Sequence, residues 1–251
     1  MVLQKTLEGQ TCLVTGASRG IGRGIATELA NVDADVVVNY RTSEAAAHEV
    51  VDEIEDMGQR AMAAQCDVSE YEEVEAMVED VHDAMGGIDI LVNNAGMTID
   101  KVFKKLTPED WQRVVDVNLT GTFNCTHCLY DDILEAEHGR LINISSVVGQ
   151  QGNYGQANYA TTKSGLFGFT RTVALEMASS GSTANCVAPG FVETDMLEGV
   201  PDRVREQILE RIPLDRFAEV EDISGIVRFV ASPESSYMTG QIVAANGGME
   251  W

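Results

Sequence analysis

Short apolar runs alternate with longer amphipathic stretches along the whole chain. Thr11–Val14, Val36–Val38, Met62–Gln65, Ile88–Val92, Leu141–Ile144, Thr183–Val187 and Gln241–Ala244 read as seven strands. Val36–Val38 is apolar without alternation, as a strand buried on both faces is. Helical periodicity falls between the strands. It covers about Ile21–Asn31, a segment capped by Ser43 with Glu44 and Glu49 near its start, and Tyr71–Met85. It returns from about Glu109 into the 130s, with Thr107 as cap and Pro108 at the first position. A long helix from Tyr154 or Ala157 reaches about Met177, and Val220–Val230 is the last. Phe191–Arg211 is less regular, with Pro201 and Pro213 breaking it. Strand and helix alternate as βαβ units do. The expected architecture is α/β: one domain over residues 1–251, a doubly wound parallel sheet of seven strands with helices on both faces. No linker, repeat or low-complexity stretch interrupts it.

Composition narrows the class. At 251 residues the chain can bury a substantial core. No apolar run reaches the roughly 20 residues of a membrane span, and Met1–Lys5 lacks a signal peptide's apolar region. A cytoplasmic protein is expected. The 17 Lys+Arg face 40 Asp+Glu, for a formal net charge of −23, which argues against nucleic acid or an anionic membrane as partner. Only five of the cations are Lys, and acids crowd helix faces such as Glu70–Asp83. A solvated acidic surface suited to a high-salt cytoplasm, a halophilic trait, is the expectation. Five scattered cysteines fit reduced thiols, and Cys125-Thr126-His127-Cys128 reads as core packing in a continuous helix. No metal site is expected.

The chemistry lies in a few short stretches. Gly16-Ala17-Ser18-Arg19-Gly20-Ile21-Gly22 follows the first strand and opens a helix. Glycines there permit positive φ and close backbone approach, and the helix N-terminus offers unpaired N–H groups to a diphosphate. The second strand ends Asn39-Tyr40-Arg41 with no acid to hold a ribose 2′-OH. Arg41 and Arg19 instead offer charged donors to a 2′-phosphate, so NADPH is expected over NADH. Tyr159 and Lys163 are four apart and share a helix face. A phenol, with an ordinary pKa of about 10, becomes a usable acid–base group when an ammonium favours its anion. Ser146, delivered by the strand Leu141–Ile144, lies thirteen residues before Tyr159 and can hold a carbonyl oxygen.

T-G-A-S-R-G-I-G (Thr15–Gly22), N-N-A-G (Asn93–Gly96), N-x-S-S (Asn143–Ser146), Y-x-x-x-K (Tyr159–Lys163) and P-G (Pro189, Gly190) occur in that order over nearly the whole chain. Together they resemble the short-chain dehydrogenase/reductase family, whose fold is of the Rossmann type. The stretch Q-A-N-Y-A-T-T-K-S-G-L-x-G-F-T, P-G-F-V-E-T-D-M and the ending N-G-G-M-E-W resemble both 3-oxoacyl-acyl carrier protein reductases and the acetoacetyl-CoA reductases of polyhydroxyalkanoate synthesis.

The resemblance implies site roles. Ser146 would hold the carbonyl, Tyr159 would donate the proton, and Lys163 would lower the Tyr159 pKa and bind the nicotinamide ribose. Asn118 would hold a water in the proton relay. Gly16, Ser18, Arg19, Gly20, Ile21, Gly22, Tyr40 and Arg41 would meet the cofactor. So would Asp67 and Val68 at the adenine, Asn94, Ala95 and Gly96 at its ribose, and Pro189, Gly190, Val192 and Thr194 near the carboxamide. Gln150, Tyr154, Gln156 and Phe191 would wall the substrate pocket. The expected reaction is NADPH-dependent reduction of a 3-oxoacyl thioester, with acetoacetyl-CoA, giving 3-hydroxybutyryl-CoA, favoured because an acidic surface repels an acidic carrier protein. Reduction of a 3-oxoacyl group on that carrier in fatty acid synthesis is the alternative. Asn39-Tyr40-Arg41 also resembles sugar dehydrogenases of the family, and a non-catalytic NADPH sensor is the non-enzymatic alternative. Lys104, Lys105 and Arg113 are a small basic group that could receive coenzyme A phosphates. The family implies a homotetramer built on the two long helices, where Gly165, Leu166, Phe169 and Val173 form a stripe that serves either core or interface.

Overall fold

A computed structural model describes residues 6–250, apart from 195, 196, 198 and 200. The readings that fall on Met1–Lys5, Asp195, Met196 and Trp251 lie outside the described residues. The strands are β1 (Thr11–Val14), β2 (Asp35–Tyr40), β3 (Ala61–Gln65), β4 (Ile90–Asn93), β5 (Arg140–Ile144), β6 (Thr183–Pro189) and β7 (Ile242–Ala245). They form one sheet in the order β3-β2-β1-β4-β5-β6-β7, and every neighbouring pair is parallel.

The helices are α1 (Gly20–Ala30), α2 (Glu44–Asp56), α3 (Tyr71–Met85), α4 (Pro108–Val115), α5 (Gly121–Cys128), α6 (Tyr130–Glu135), α7 (Val147–Gln151), α8 (Ala157–Met177), α9 (Asp202–Leu209) and α10 (Val220–Ala231). Alternate strand residues feed opposite faces. Val36, Val38, Ile90, Val92 and Ile142 pack with Ile25 and Leu29 of α1 and Val227 of α10. Val37, Leu91 and Leu141 pack with Val78 of α3, Cys125 of α5 and Met177 of α8. Each such aliphatic side chain contributes roughly 1.5–3 kcal/mol on full burial. Gly24 lets α1 lie hard against α10, since a Cβ there would sit 2.1 Å from Val220 Cγ1.

The expected sheet is present, and several local expectations change. The helix expected from Glu109 into the 130s is three helices with a π-helical turn, Asp116–Thr120, after α4. Apolar periodicity does not show a turn that holds one extra residue. Gly121 then seats α5 on Val68, at a spacing where a Cβ would meet Val68 Cγ2 at 2.7 Å. Thr107 caps α4 in a reciprocal capping box with Asp110, as expected. Ser43 sits at the start of α2 but makes no capping side-chain hydrogen bond. Two short helices were not expected. α7 follows Ser146, whose hydroxyl accepts from Val148 N at 3.1 Å, and α9 lies within the stretch read as irregular. Gly152 and Gly155, both at positive φ, break the chain before α8, so that helix starts at Ala157 and not Tyr154.

Cys125 is fully buried and Cys128 half-buried. No cluster of metal-binding side chains occurs among the described residues. Among them, no helix is long and apolar enough to cross a membrane.

Candidate active site

Strand order reverses between β1 and β4, and sheets of this kind bind ligands in the space beyond the C-terminal strand ends there. The turn after β1 lines it. Gly16 takes φ +62 and Gly20 φ +55, conformations that disfavour any side chain. A Cβ on Gly16 would lie 3.0 Å from the Ala95 backbone, and one on Gly22 would lie 2.4 Å from Gly16 O. The glycines therefore keep the turn, the β4 loop and the start of α1 in backbone contact.

Buried polar side chains fasten this base. Thr15 Oγ1 accepts from both Asn94 N and Ala95 N at 2.9 Å. Asn94 Nδ2 returns bonds to Thr15 O at 2.8 Å and Gly16 O at 3.2 Å. Asn39, near the end of β2, accepts from Gly16 N at 3.1 Å and donates to Ala64 O and Cys66 O. The sequence carried a signal for Asn39: one amide in an otherwise apolar strand must find internal partners. Ser18 is buried, Ile21 packs on the core beside the turn, and Arg19 is exposed at the start of α1.

A cavity of about 410 Å³ beyond the β2 and β3 ends is lined in part by Arg41, Asp67, Ser69, Arg113 and Val117. Arg41 Nη1 reaches Asp67 Oδ2 at 3.3 Å. Burial opposes ionisation of Asp67, but hydrogen bonds from Ser69 and the Arg41 charge hold its carboxyl below the usual range. Val68 is buried under Gly121. Tyr40 packs its ring into the core, so its place at the rim is a backbone one. Arg113 shares the cavity with Arg41, whereas Lys104 and Lys105 stand exposed on the turn Phe103–Lys105. A hollow of about 510 Å³ beside Arg60 and Met85 lies at the other end of β3 and gathers no comparable set of reactive groups.

The reactive groups meet at the tips of β4 and β5. Tyr159 and Lys163 lie one turn apart on α8, with Lys163 Nζ 5.6 Å from the Tyr159 ring centre. Lys163 is 4% exposed, and its Nζ donates to Ile144 O at 2.7 Å. Burial pushes its ammonium down to about 8. Ser145 Oγ ties the same residue from behind, donating to Lys163 O at 2.8 Å. Burial raises the Tyr159 phenol above its ordinary value, a hydrogen bond with Ser146 pulls it down, and the Asp100 carboxylate raises it further. The expectation that Lys163 lowers the phenol is not met in this geometry. The ammonium is itself desolvated and turned to a backbone carbonyl.

Asn118, 1% exposed in the π-helical turn, brackets Met97: its Oδ1 accepts from Met97 N at 2.8 Å and its Nδ2 donates to Met97 O at 2.9 Å. It also donates to Thr162 Oγ1 of α8 at 3.1 Å. A Cβ on Gly96 would lie 3.4 Å from Lys163 Nζ and 3.5 Å from Asn118 Oδ1, so Gly96 opens the space where these groups converge. Pro189 ends β6, and Gly190 passes too close for a side chain, since a Cβ there would lie 2.8 Å from Asn246 Cα. Val192 pairs with Ala218, and Thr194 lies 3.7 Å from a Cβ placed on Gly20. The segment after β6 thus reaches over the glycine turn.

The residues expected to wall the substrate pocket differ in placement. Tyr154 is 88% exposed. Gln150 lies on α7, and Phe191 packs against Leu197, Ile212 and Phe217. Gln156 is held by Asp100 at 3.0 and 3.1 Å.

A sequence-family profile described as enoyl-(acyl carrier protein) reductase matches residues 16–250. A 3-oxoacyl-acyl-carrier-protein reductase of Staphylococcus epidermidis is 46% identical over 240 residues, 96% of this chain and 98% of that protein. One from Synechocystis sp. is 48% identical over 244 residues, 97% of this chain and 98% of that protein. A solved structure described as a short-chain alcohol dehydrogenase of Sinorhizobium meliloti superposes with a TM-score of 0.93 at 36% identity, covering 98% of each chain. The chain belongs to the short-chain dehydrogenase/reductase family. Members of that family are nicotinamide-dependent oxidoreductases, and the residues here fit such a cofactor. The glycine turn makes a cradle that side chains would fill, and Gly96 on the neighbouring β4 loop opens onto Lys163 Nζ.

Proposed function

We propose that this protein reduces the C3 ketone of a 3-oxoacyl thioester with NADPH. The observation that carries the reading is the convergence of Ser146, Tyr159 and Lys163 beyond the β5 tip, in a chain 46–48% identical to reductases named for that reaction. When bound, the nicotinamide supplies the hydride. Ser146 holds the ketone oxygen and Tyr159 gives it a proton as negative charge builds there. Lys163 binds the ribose hydroxyls beside the ring. Asn118, fixed on Met97 and Thr162, keeps the proton path to Lys163 in register. Proper orientation of the two reactants supplies much of the acceleration.

Arg41 and Arg19, exposed at the ends of β2 and β1, support NADPH through a 2′-phosphate. The relatives' names favour an acyl carrier protein as thioester carrier. A net charge of −23 favours coenzyme A, because like charges slow encounter with an acidic carrier. Acetoacetyl-CoA is therefore the second reading of the carrier. The exposed Gly165, Gly168 and Leu175 of α8, with Phe123 of α5, support a homotetramer joined through these helices. A cytoplasmic setting follows from the substrate class.

One panel tests the proposal: kcat/KM for acetoacetyl-CoA, a 3-oxoacyl carrier protein, crotonyl-CoA and glucose, each with NADPH and NADH. Ketone reduction with NADPH on either carrier is expected. Turnover confined to crotonyl-CoA, as the enoyl description of the family profile implies, or to glucose, would replace the reading, and no turnover on any would make the protein a cofactor sensor.

A further inference from the structure

Two loops frame the mouth of the site, and they are joined to each other. The loop after β4 meets the approach to α8 at three points. Lys101 N donates to Gly155 O at 2.9 Å, Asn158 Nδ2 donates to Ile99 O at 3.1 Å, and Gln156 Nε2 donates to both Asp100 oxygens at 3.0 and 3.1 Å. Asp100 also accepts from Thr98 Oγ1, and Gln156 Oε1 accepts from Asn153 Nδ2 at 2.9 Å. Asn158 turns its other end to the reactive residue, accepting from Tyr159 N at 2.8 Å. The side chains of Asp100, Gln156 and Asn158 have every polar atom partnered, and Tyr159 sits one helical turn beyond Gln156.

We propose that Asp100 is a positioning residue of this site: its carboxylate fastens the β4 loop to the start of α8 through Gln156, one helical turn before Tyr159. The proposal rests on the reading of Tyr159 as proton donor. The Asp100 carboxylate on the β4 loop acts on the phenol through space, and the Ser146 hydroxyl at the start of α7 hydrogen-bonds it. Lys163 lies on its own helix, 5.6 Å from the ring. Lys101, next to Asp100, is neutralised by Asp110 at 2.6 Å. On β6 behind Lys163, burial pushes the Cys186 thiol up to about 12, so it stays neutral. Asp100 raises the phenol where Ser146 lowers it. The balance suits a reductase. Reduction needs the phenol protonated, and the reverse oxidation needs the phenolate. An anion at the mouth keeps the proton in place over the working range and leaves oxidation to higher pH.

Asp100→Asn keeps the shape and the acceptor for Gln156 and removes the charge. The alkaline limb of kcat/KM for ketone reduction should move to lower pH by roughly half to one unit, with the rising limb of alcohol oxidation moving equally. Gln156→Ala keeps the charge and cuts the bridge: KM for the thioester should rise several-fold with both limbs in place. Unmoved limbs in Asp100→Asn, or an unchanged KM in Gln156→Ala, would overturn the electrostatic or the positioning half respectively. Tyr159→Phe separates this from the underlying reading. If it keeps activity, the limbs belong to another group and the proton-donor assignment fails. If it is inactive while the Asp100→Asn limbs stay put, only the present inference fails. A phenol absorbance titration of folded Asp100→Asn, subtracted from that of wild type, reads the same shift without turnover.

Discussion

The base of the site and its rim are built differently. At the base, Thr15, Asn39, Asn94, Asn118 and Lys163 are buried or nearly so and hydrogen-bonded across four strands and two helices. At the rim, Arg19, Arg41, Tyr154 and Phe103 are exposed, with the 410 Å³ cavity opening between α4 and the β2 and β3 ends. The difference separates two tasks. On the proposed function, proton transfer needs sub-ångström placement, which a buried network would supply. Choice of cofactor phosphate and acyl carrier would then turn on charge meeting charge, which exposed arginines would supply while leaving the chemistry alone.

The most direct way to break this division is at the base. Tyr159→Phe should lower kcat/KM by about 10²–10⁴-fold, with NADPH affinity by fluorescence titration unchanged. Lys163→Met should also abolish turnover, but it should stabilise the fold. Burial holds the Lys163 pKa at about 8 against an ordinary 10.5, so the unfolded chain binds more protons between those values. The cost of the buried ammonium is therefore fully present below pH 8 and disappears as pH rises to about 10.5. Urea unfolding at pH 7 should show Lys163→Met more stable by on the order of 2 kcal/mol, allowing for the lost bond to Ile144, with the gap closing near pH 10.5. Asn94→Ala removes the tie to Thr15 O and Gly16 O and should cost about 1–3 kcal/mol in the same assay.

Changes at the rim should be smaller and leave stability intact. Arg41→Asp should move the NADPH-to-NADH ratio of kcat/KM roughly 10–100-fold toward NADH, with the pH profile unmoved. The smallest effect is global: raising KCl should increase Tm, as screening relieves a net charge of −23. Full stability in dilute buffer without ligand would remove the high-salt interpretation of the acidic surface. A rim substitution that costs as much stability as Asn94→Ala would erase the distinction between the two regions.

Much of the scaffold was legible in one dimension. The strand runs and the glycine spacing predict the doubly wound sheet, because a two-residue and a 3.6-residue period differ over a few turns. Thr11–Val14 and Tyr71–Met85 coincide with the observed elements. The breaks were not legible. α7 is only five residues long and carries no period, and the π-helical turn at Asn118 is a shift in register that leaves the apolar stripe continuous. Ser43 carries the residue type of a cap without the bond, because capping needs a backbone angle as well as a hydroxyl.

The sequence by itself determined which groups are present and in what order they leave the strand ends: a glycine turn, two arginines, a serine, and a tyrosine four residues before a lysine. Only the tertiary structure decided their electrostatics. Burial turned Lys163 toward Ile144 O and lowered it, and raised Tyr159. A loop some sixty residues away in sequence brought Asp100 to bear on the same phenol. Spacing along a helix fixes which side chains can meet, whereas their charge states depend on everything packed around them, and that is set by the whole fold.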